Sequence, residues 1–419
     1  MTGGDRRLRR ALIALCVTEI TSWGTLYYSL PAMLVPLSHS TGWPDLAVMS
    51  AFSAGLLLSG VAGIVVGRLL DRFGPRPVMT LGSVAGIAAL LSVAAAPSPQ
   101  WFFAAWMFAG LAQSMLLYPP AFAALTRWCG PQRVYALTAL SLVAGLASTV
   151  FAPLTALLTS HLGWRATDVV LAAVLGVVTL PLHATMLTPH WPTGRKSEQT
   201  PPVRACSLAR SRAFVLLAAA MALGAFALYA ATVDVGTLLT SHGASNMIAA
   251  VALGLVGVGQ VCGRLGYPTL SRRTSAPTRT CAVLAAGGLI VGLLAVTSAL
   301  PAVALATAGL AGVVRGNFTL IQATAVSDRW GTRAFGTVNG ILLAPVTIAT
   351  ALAPGAGATL TRWLGTPRIA FFLLAGLAAV GSALALATRV STGQLSASSS
   401  LATGRLPLEG PRDRLSRHA

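Results

Sequence analysis

The stretch Gly67-Arg68-Leu-Leu-Asp71-Arg72-Phe-Gly74-Pro-Arg76 is a short charged interruption between two long apolar runs, 45–67 and 78–96. A bilayer crossing takes about 20 apolar residues at a helical rise of about 1.5 Å each. Both runs meet that length, so the charged stretch is read as a tight hairpin joining two membrane spans. Working outward, the same pattern gives twelve spans: 11–36, 45–67, 78–96, 101–125, 134–159, 166–187, 213–239, 245–267, 280–299, 301–325, 336–360 and 369–388. These are too long and too uniformly apolar for the alternating ten-residue strands of a barrel, so helix is the expected form.

Composition agrees. Charged residues are 9% of the chain and hydrophobic residues 55%, whereas soluble domains carry about 25% charged residues. The net charge of +19 raises the question of a polyanion partner, but its distribution argues against nucleic acid. With the first residues assigned to the cytoplasm, all but Arg165, Arg315, Arg362 and Arg368 of the 29 Lys and Arg residues fall on the cytoplasmic side. The charge therefore orients the chain in a cell (plasma) membrane, with both termini expected in the cytoplasm and the lipid bilayer as partner. The basic start before Ala11 lacks a prompt small-residue cleavage site and reads as an uncleaved first helix. None of the five cysteines lies in an exterior loop, so packing is their expected role. No metal-ligand spacing, phosphate-binding Gly-rich loop or catalytic constellation occurs, so neither a cofactor nor an enzyme is expected.

The chain repeats itself. Gly63…Gly67-Arg68-Leu69 returns as Gly259…Gly263-Arg264-Leu265, Thr159…Leu162-Gly163 as Thr361…Leu364-Gly365, and Tyr27 aligns with Tyr229, at offsets of 196 to 202 residues. The expected organisation is a six-helix bundle over 1–187, a polar linker over 188–212, a second bundle over 213–388 and a disordered cytoplasmic tail over 389–419. Gly63/Gly67, Gly259/Gly263 and Gly336/Gly340 put small faces on helices, allowing close approach of neighbours.

The Gly67–Arg76 segment resembles the signature loop between helices 2 and 3 of the major facilitator superfamily. It matches at Gly67, Asp71, Arg72, Gly74 and Arg76 and departs at Pro75, where the family usually has a second basic residue. The resemblance implies an all-α integral membrane fold: twelve transmembrane helices in two pseudo-symmetric six-helix bundles, with a substrate site near the midplane between them. It also implies a gating loop of Gly67, Arg68, Asp71, Arg72, Gly74 and Arg76. In that loop Asp71 is expected to pair with a basic residue or a helix N-terminus when the cytoplasmic side is closed.

Eight of the ten acids are expected in loops, at helix ends or in the termini, Asp71, Asp168 and Asp328 among them. Glu19 and Asp234 remain within spans, and Arg315 is their basic counterpart. An ionisable group at mid-membrane costs roughly 2.5–3.5 kcal/mol, so each needs an explanation. Glu19 is expected to face the central cavity and exchange a proton during transport. Asp234, near the outer mouth, is a candidate for coupling or substrate contact, and Arg315 for binding an anionic group or neutralising an acid. Trp23, Tyr27, Tyr28, Gln113, Tyr118, Tyr229, Asn317 and Gln322 are expected to line the cavity, since they fall on helices 1, 4, 7 and 10, the cavity helices of the family; Asn339 is a further candidate.

The segment from Arg127-Trp128 through Gly145 to Phe151-Ala-Pro153-Leu154 is similar to the monocarboxylate and oxalate/formate branch, which implies proton-coupled movement of a small organic acid. Two departures stand out: span 8 has no arginine before the membrane edge, with Arg264 grouped among the loop arginines, and span 1 carries Glu19 instead of a lysine. The alternatives are proton-driven efflux of drug-like or cationic compounds and a non-transporting membrane sensor. A monomer exchanging a small-molecule substrate and protons by alternating access is the expected form.

Overall fold

A computed structural model of the chain describes residues 3–191, 207–332 and 334–388. Most of the expected linker, 192–206, and the whole expected tail, 389–419, lie outside the described residues. Among the described residues, ten helices are long and apolar enough to cross a membrane. One of these, residues 130–186, holds two spans that reverse at Gly163, where φ is 75°. A further span, α1, is built from Gly3–Trp23, a π-helical turn Gly24–Tyr28 and Ser29–Thr41, which completes the twelve.

The remaining helices are α2 (Asp45–Phe73), α3 (Pro75–Ala94) and α4 (Pro99–Leu116 continuing as Tyr118–Trp128). Next come α5 (Arg133–Ala144, then from Ala147 to the Gly163 reversal) and α6, which runs on to Met186. The second bundle has α7 (Arg212–Ser241), α8 (Asn246–Arg273), α9 (Ala276–Thr297), α10 (Pro301–Thr324), α11 (Phe335–Leu364) and α12 (Pro367–Leu386).

Local sequence explains where many helices start. Ser98, Ser211, Ser245, Ser275 and Thr366 each accept a hydrogen bond from the backbone N–H three residues on, satisfying a donor the first turn leaves open. Pro75 is the first residue of α3, where its missing N–H costs nothing. That accounts for the proline in place of a basic residue. The duplication is visible in the turns: Gly42 and Gly243 end α1 and α7, and Gly163 and Gly365 reverse the chain before α6 and α12, all at positive φ.

The outer surface is apolar, with Val177, Leu265 and Leu289 among the exposed side chains, as lipid requires. Asp168 lies near a helix end, as expected, five residues after the Gly163 reversal, but it is not exposed there. It is wholly buried and neither carboxylate oxygen has a hydrogen bond among the described residues. The reason is that α6 is already packed where it begins, with Trp164 and Thr167 buried beside it.

The glycine faces divide their work between two kinds of crossing. Gly67 meets Gly336 and Gly63 meets Gly340, bringing α2 onto α11 of the other bundle; a Cβ on Gly67 would stand 2.2 Å from the Gly336 carbonyl oxygen. Gly259 and Gly263 instead pack on α10 within their own bundle.

Candidate functional site

Between the bundles lies a cavity of about 710 Å³. Its floor is set by contacts on the arginine-rich face. There α11 begins at Phe335 after Ala334, which has φ 48° and no side chain able to cap. Asp71 caps it from the other bundle. Its Oδ1 accepts from Gly336 N at 3.1 Å, and its Oδ2 accepts from Thr337 N and Thr337 Oγ1, both at 2.7 Å. The positive end of the helix and two otherwise unmet donors favour a carboxylate here. Arg127 Nη1 stands 3.9 Å from Asp71 Oδ1, with its guanidinium over the Trp191 ring. A second clasp joins Asp328, in the short helix Ser327–Trp330, to Arg133 Nη2 at 2.8 Å and to Arg279.

Asp71 and Gly67 thus do the reaching between bundles. Arg68, Arg72 and Arg76 are exposed and make no ion pair among the described residues, with Arg72 lying against the Phe73 ring. Gly74, at φ 83°, leaves room for Trp191. In contacts across the bundles the six-residue gating group from the sequence therefore reduces to two residues, because Arg68 and Arg72 on α2 and Arg76 at the start of α3 are exposed.

The cavity wall follows from helix geometry. Trp23, Tyr27 and Tyr28 of α1, Gln113 and Tyr118 of α4, Tyr229 of α7, and Arg315 and Gln322 of α10 all line it. Seven residues separate Arg315 from Gln322, nearly two full turns, so both share one face with Thr319 between them. Asn317, two residues from Arg315, points about 200° away; it does not line the cavity, and its Nδ2 donates to Val313 O at 3.0 Å. Asp234, five residues past Tyr229, lies about 140° round α7 from the cavity face, buried and without a hydrogen bond or ion pair among the described residues. Asn339 is buried behind the wall.

Glu19 also does not line the cavity, contrary to expectation. It is fully buried one turn nearer the clasped face, beneath Trp23, whose Nε1 donates to Glu19 Oε2 at 3.0 Å. Its Oε1 has no hydrogen-bond partner among the described residues. Above it, α1 loosens into the π turn, a local widening often found at functional sites. Gln113 Nε2 donates to the Leu26 carbonyl in that turn at 2.8 Å. Gly24 admits the Phe151 ring of α5, which a Cβ would overlap at 2.1 Å.

Arg264 is the main residue that sequence reasoning assigned elsewhere. It lines the cavity, is 6% exposed, and its Nη1 donates to Ser141 O of the other bundle at 2.6 Å. That carbonyl is reachable because α5 breaks at Gly145 and Leu146, and because a Cβ on Gly145 would sit 2.1 Å from Arg264 Nη1. A signal was present: Arg264 lies eight residues before Arg272, about 12 Å of helix deeper than the loop arginines.

Two guanidiniums and no carboxylate line the cavity among the described residues. Arg315 rests over the Tyr229 ring at 4.1 Å from its centroid, and its N–H groups make no hydrogen bond or ion pair among the described residues. Such a site can neutralise an anion at mid-membrane.

Outside the spans, burial pushes the Cys129 thiol up to about 11. The reactive thiolate is then scarcer at any working pH. A variant keeping Cys129 as its one cysteine should react with a maleimide at pH 7.5 about 100-fold more slowly than a free thiol, the rate climbing with pH. Labelling at the free-thiol rate would show that the α4 end is open.

The profile of the Major Facilitator Superfamily matches residues 15–314. Human monocarboxylate transporter 11 is 30% identical over 231 residues, 53% of this chain and 48% of that protein. The uncharacterized MFS-type transporter YcxA of Bacillus subtilis (strain 168) is 24% identical over 155 residues, 37% of this chain and 38% of that one. The matched region spans less than half the length of each of these relatives. Among solved structures, the E. coli fucose:proton symporter FucP superposes with a TM-score of 0.70 at 17% identity, covering 91% of this chain and 98% of that one. The human organic anion transporter MFSD10 gives 0.68 at 17%, covering 92% and 100%. At these identities the likeness is one of fold.

Proposed function

This chain belongs to the major facilitator superfamily, and we propose that it is a membrane transporter that carries a small organic anion, together with protons, across the cytoplasmic membrane by alternating access. The observation that carries the reading is Arg315: a guanidinium in a mid-span cavity whose N–H groups have no protein partner among the described residues. Holding a charge there unpaired is expensive, and a carboxylate cargo would relieve it. Arg264 adds a second positive group on the same cavity. The human relative's name, a monocarboxylate transporter, points the same way. Efflux of cationic compounds fits less well, since a cation would meet two arginines and no lining carboxylate.

In this reading the clasped arginine-rich face is cytoplasmic, both termini lie on that side and the protein works as a monomer. The cavity reaches away from the clasps to Leu56 and Thr350, Leu56 being about 22 Å of helix from Asp71. The state described is accordingly the one open to the outside. Differential binding of anion and proton to the two states then drives the exchange between them. Glu19 is the proposed proton site, joined to the cavity through Trp23, and Asp234 stands aside from it.

Proteoliposomes holding the full-length protein test this. An acidic exterior should drive accumulation of a labelled carboxylate such as pyruvate or benzoate, and a protonophore should abolish it. Glu19→Gln should keep carboxylate exchange while reducing gradient-driven accumulation at least tenfold. Accumulation of a lipophilic cation alone would refute the anion reading, and unchanged coupling in Glu19→Gln would remove Glu19 from it.

A further inference from the structure

The wall facing the two arginines bears on what kind of anion is carried. Aromatic residues are 7% of the chain, yet four of its six tyrosines, Tyr27, Tyr28, Tyr118 and Tyr229, line this one cavity with Trp23. The rings of Trp23, Tyr27, Tyr28 and Tyr118 form a continuous surface, with Tyr229 lying under Arg315. Trp23 lies 5.0 Å from Tyr27 and 4.9 Å from Tyr118, and Tyr27 lies 5.0 Å from Tyr28, centroid to centroid. Tyr28 is also within electrostatic reach of both Arg315 and Arg264. An anion held on the free N–H groups of Arg315 would therefore place the rest of its body among these rings.

A two- or three-carbon acid would leave most of the roughly 710 Å³ filled with water and the ring faces wet. A flat aromatic body would displace that water and meet ring faces and edges in the offset and edge-on arrangements such groups prefer. We infer that the substrate is an aromatic carboxylate, its carboxylate on Arg315 and its ring against the surface made by Trp23, Tyr28 and Tyr118. This rests on the organic-anion reading and narrows it.

The test is equilibrium binding of radiolabelled benzoate to the purified full-length protein, with cyclohexanecarboxylate, acetate and benzylammonium as competitors. Cyclohexanecarboxylate has nearly the same bulk without the π face, and should compete about tenfold less well than unlabelled benzoate. Tyr28→Leu should bring that ratio close to one, whereas Tyr28→Phe should retain it. Should Tyr28→Leu not fold, Tyr118→Leu serves in its place. If the two ring acids and acetate compete equally, the aromatic inference fails while the organic-anion reading stands. Absence of benzoate binding also overturns the inference. If benzylammonium binds and no carboxylate does, both readings fall.

Discussion

Replacing Arg315 by glutamine is expected to lower carboxylate affinity and kcat/KM at least a hundredfold while leaving the protein folded. The side chain makes no hydrogen bond or ion pair with described residues, only the ring contact with Tyr229. Little packing is therefore lost, and removing a lone charge from mid-membrane relieves a cost. With an anion bound the balance reverses. Breaking a buried charge pair by deleting one partner costs about 3–5 kcal/mol, and about 2.8 kcal/mol is already a factor of a hundred. Arg315→Lys should recover part of the loss, since it keeps the charge but not the planar fork. Radiolabelled uptake and binding measured on the same preparations check this. Wild-type affinity in Arg315→Gln would place the anion elsewhere, with Arg264 the remaining cavity arginine.

Gly67→Leu is expected to abolish net transport by a different route. A Cβ at Gly67 would lie 2.2 Å from Gly336 O and 2.7 Å from its carbonyl carbon, both backbone atoms that no rotamer change can move. The helices must separate, and the Asp71 bonds to Gly336 N and Thr337 N lie at the same crossing. Overpacking of this kind costs about 1–3 kcal/mol, borne by the clasped state alone. That shifts the balance between the two states about fivefold to about 150-fold toward the one open on the arginine-rich face. A cysteine placed at the cavity-lining position Ala344 reports the shift. Its labelling by an impermeant maleimide in inside-out vesicles should rise at least tenfold. Unchanged labelling and transport would mean that α2 and α11 do not part during the cycle.

The fold was legible because its determinants are local. Apolar runs of span length, charged turns between them and glycines at the reversals each occupy a few contiguous residues, and the bilayer leaves helix as the form available to such runs. The duplication was readable for the same reason: Gly163 and Gly365, matched in sequence, both reverse the chain at positive φ. The site was legible in part. Helix identity selected Trp23, Tyr27, Tyr28, Gln113, Tyr118, Tyr229, Arg315 and Gln322, which do line the cavity. It failed for Asn317, Asp234 and Glu19, where rotation about the axis, or depth beneath an indole ring, decides what a residue meets.

From the chain alone come twelve spans, their duplication, the concentration of arginine on one face and the presence of Glu19, Asp234 and Arg315 within the membrane. These depend on hydropathy and charge along a single helix, which neighbours do not alter. The tertiary structure decided which of those groups meet. It set Asp71 on the uncapped start of α11, drew Arg264 through the gap at Gly145 to the Ser141 carbonyl, and left Arg315 without an anionic partner among the described residues. Such pairings join residues from opposite bundles, and their geometry is fixed by how closely two helices can approach, a distance no single segment encodes.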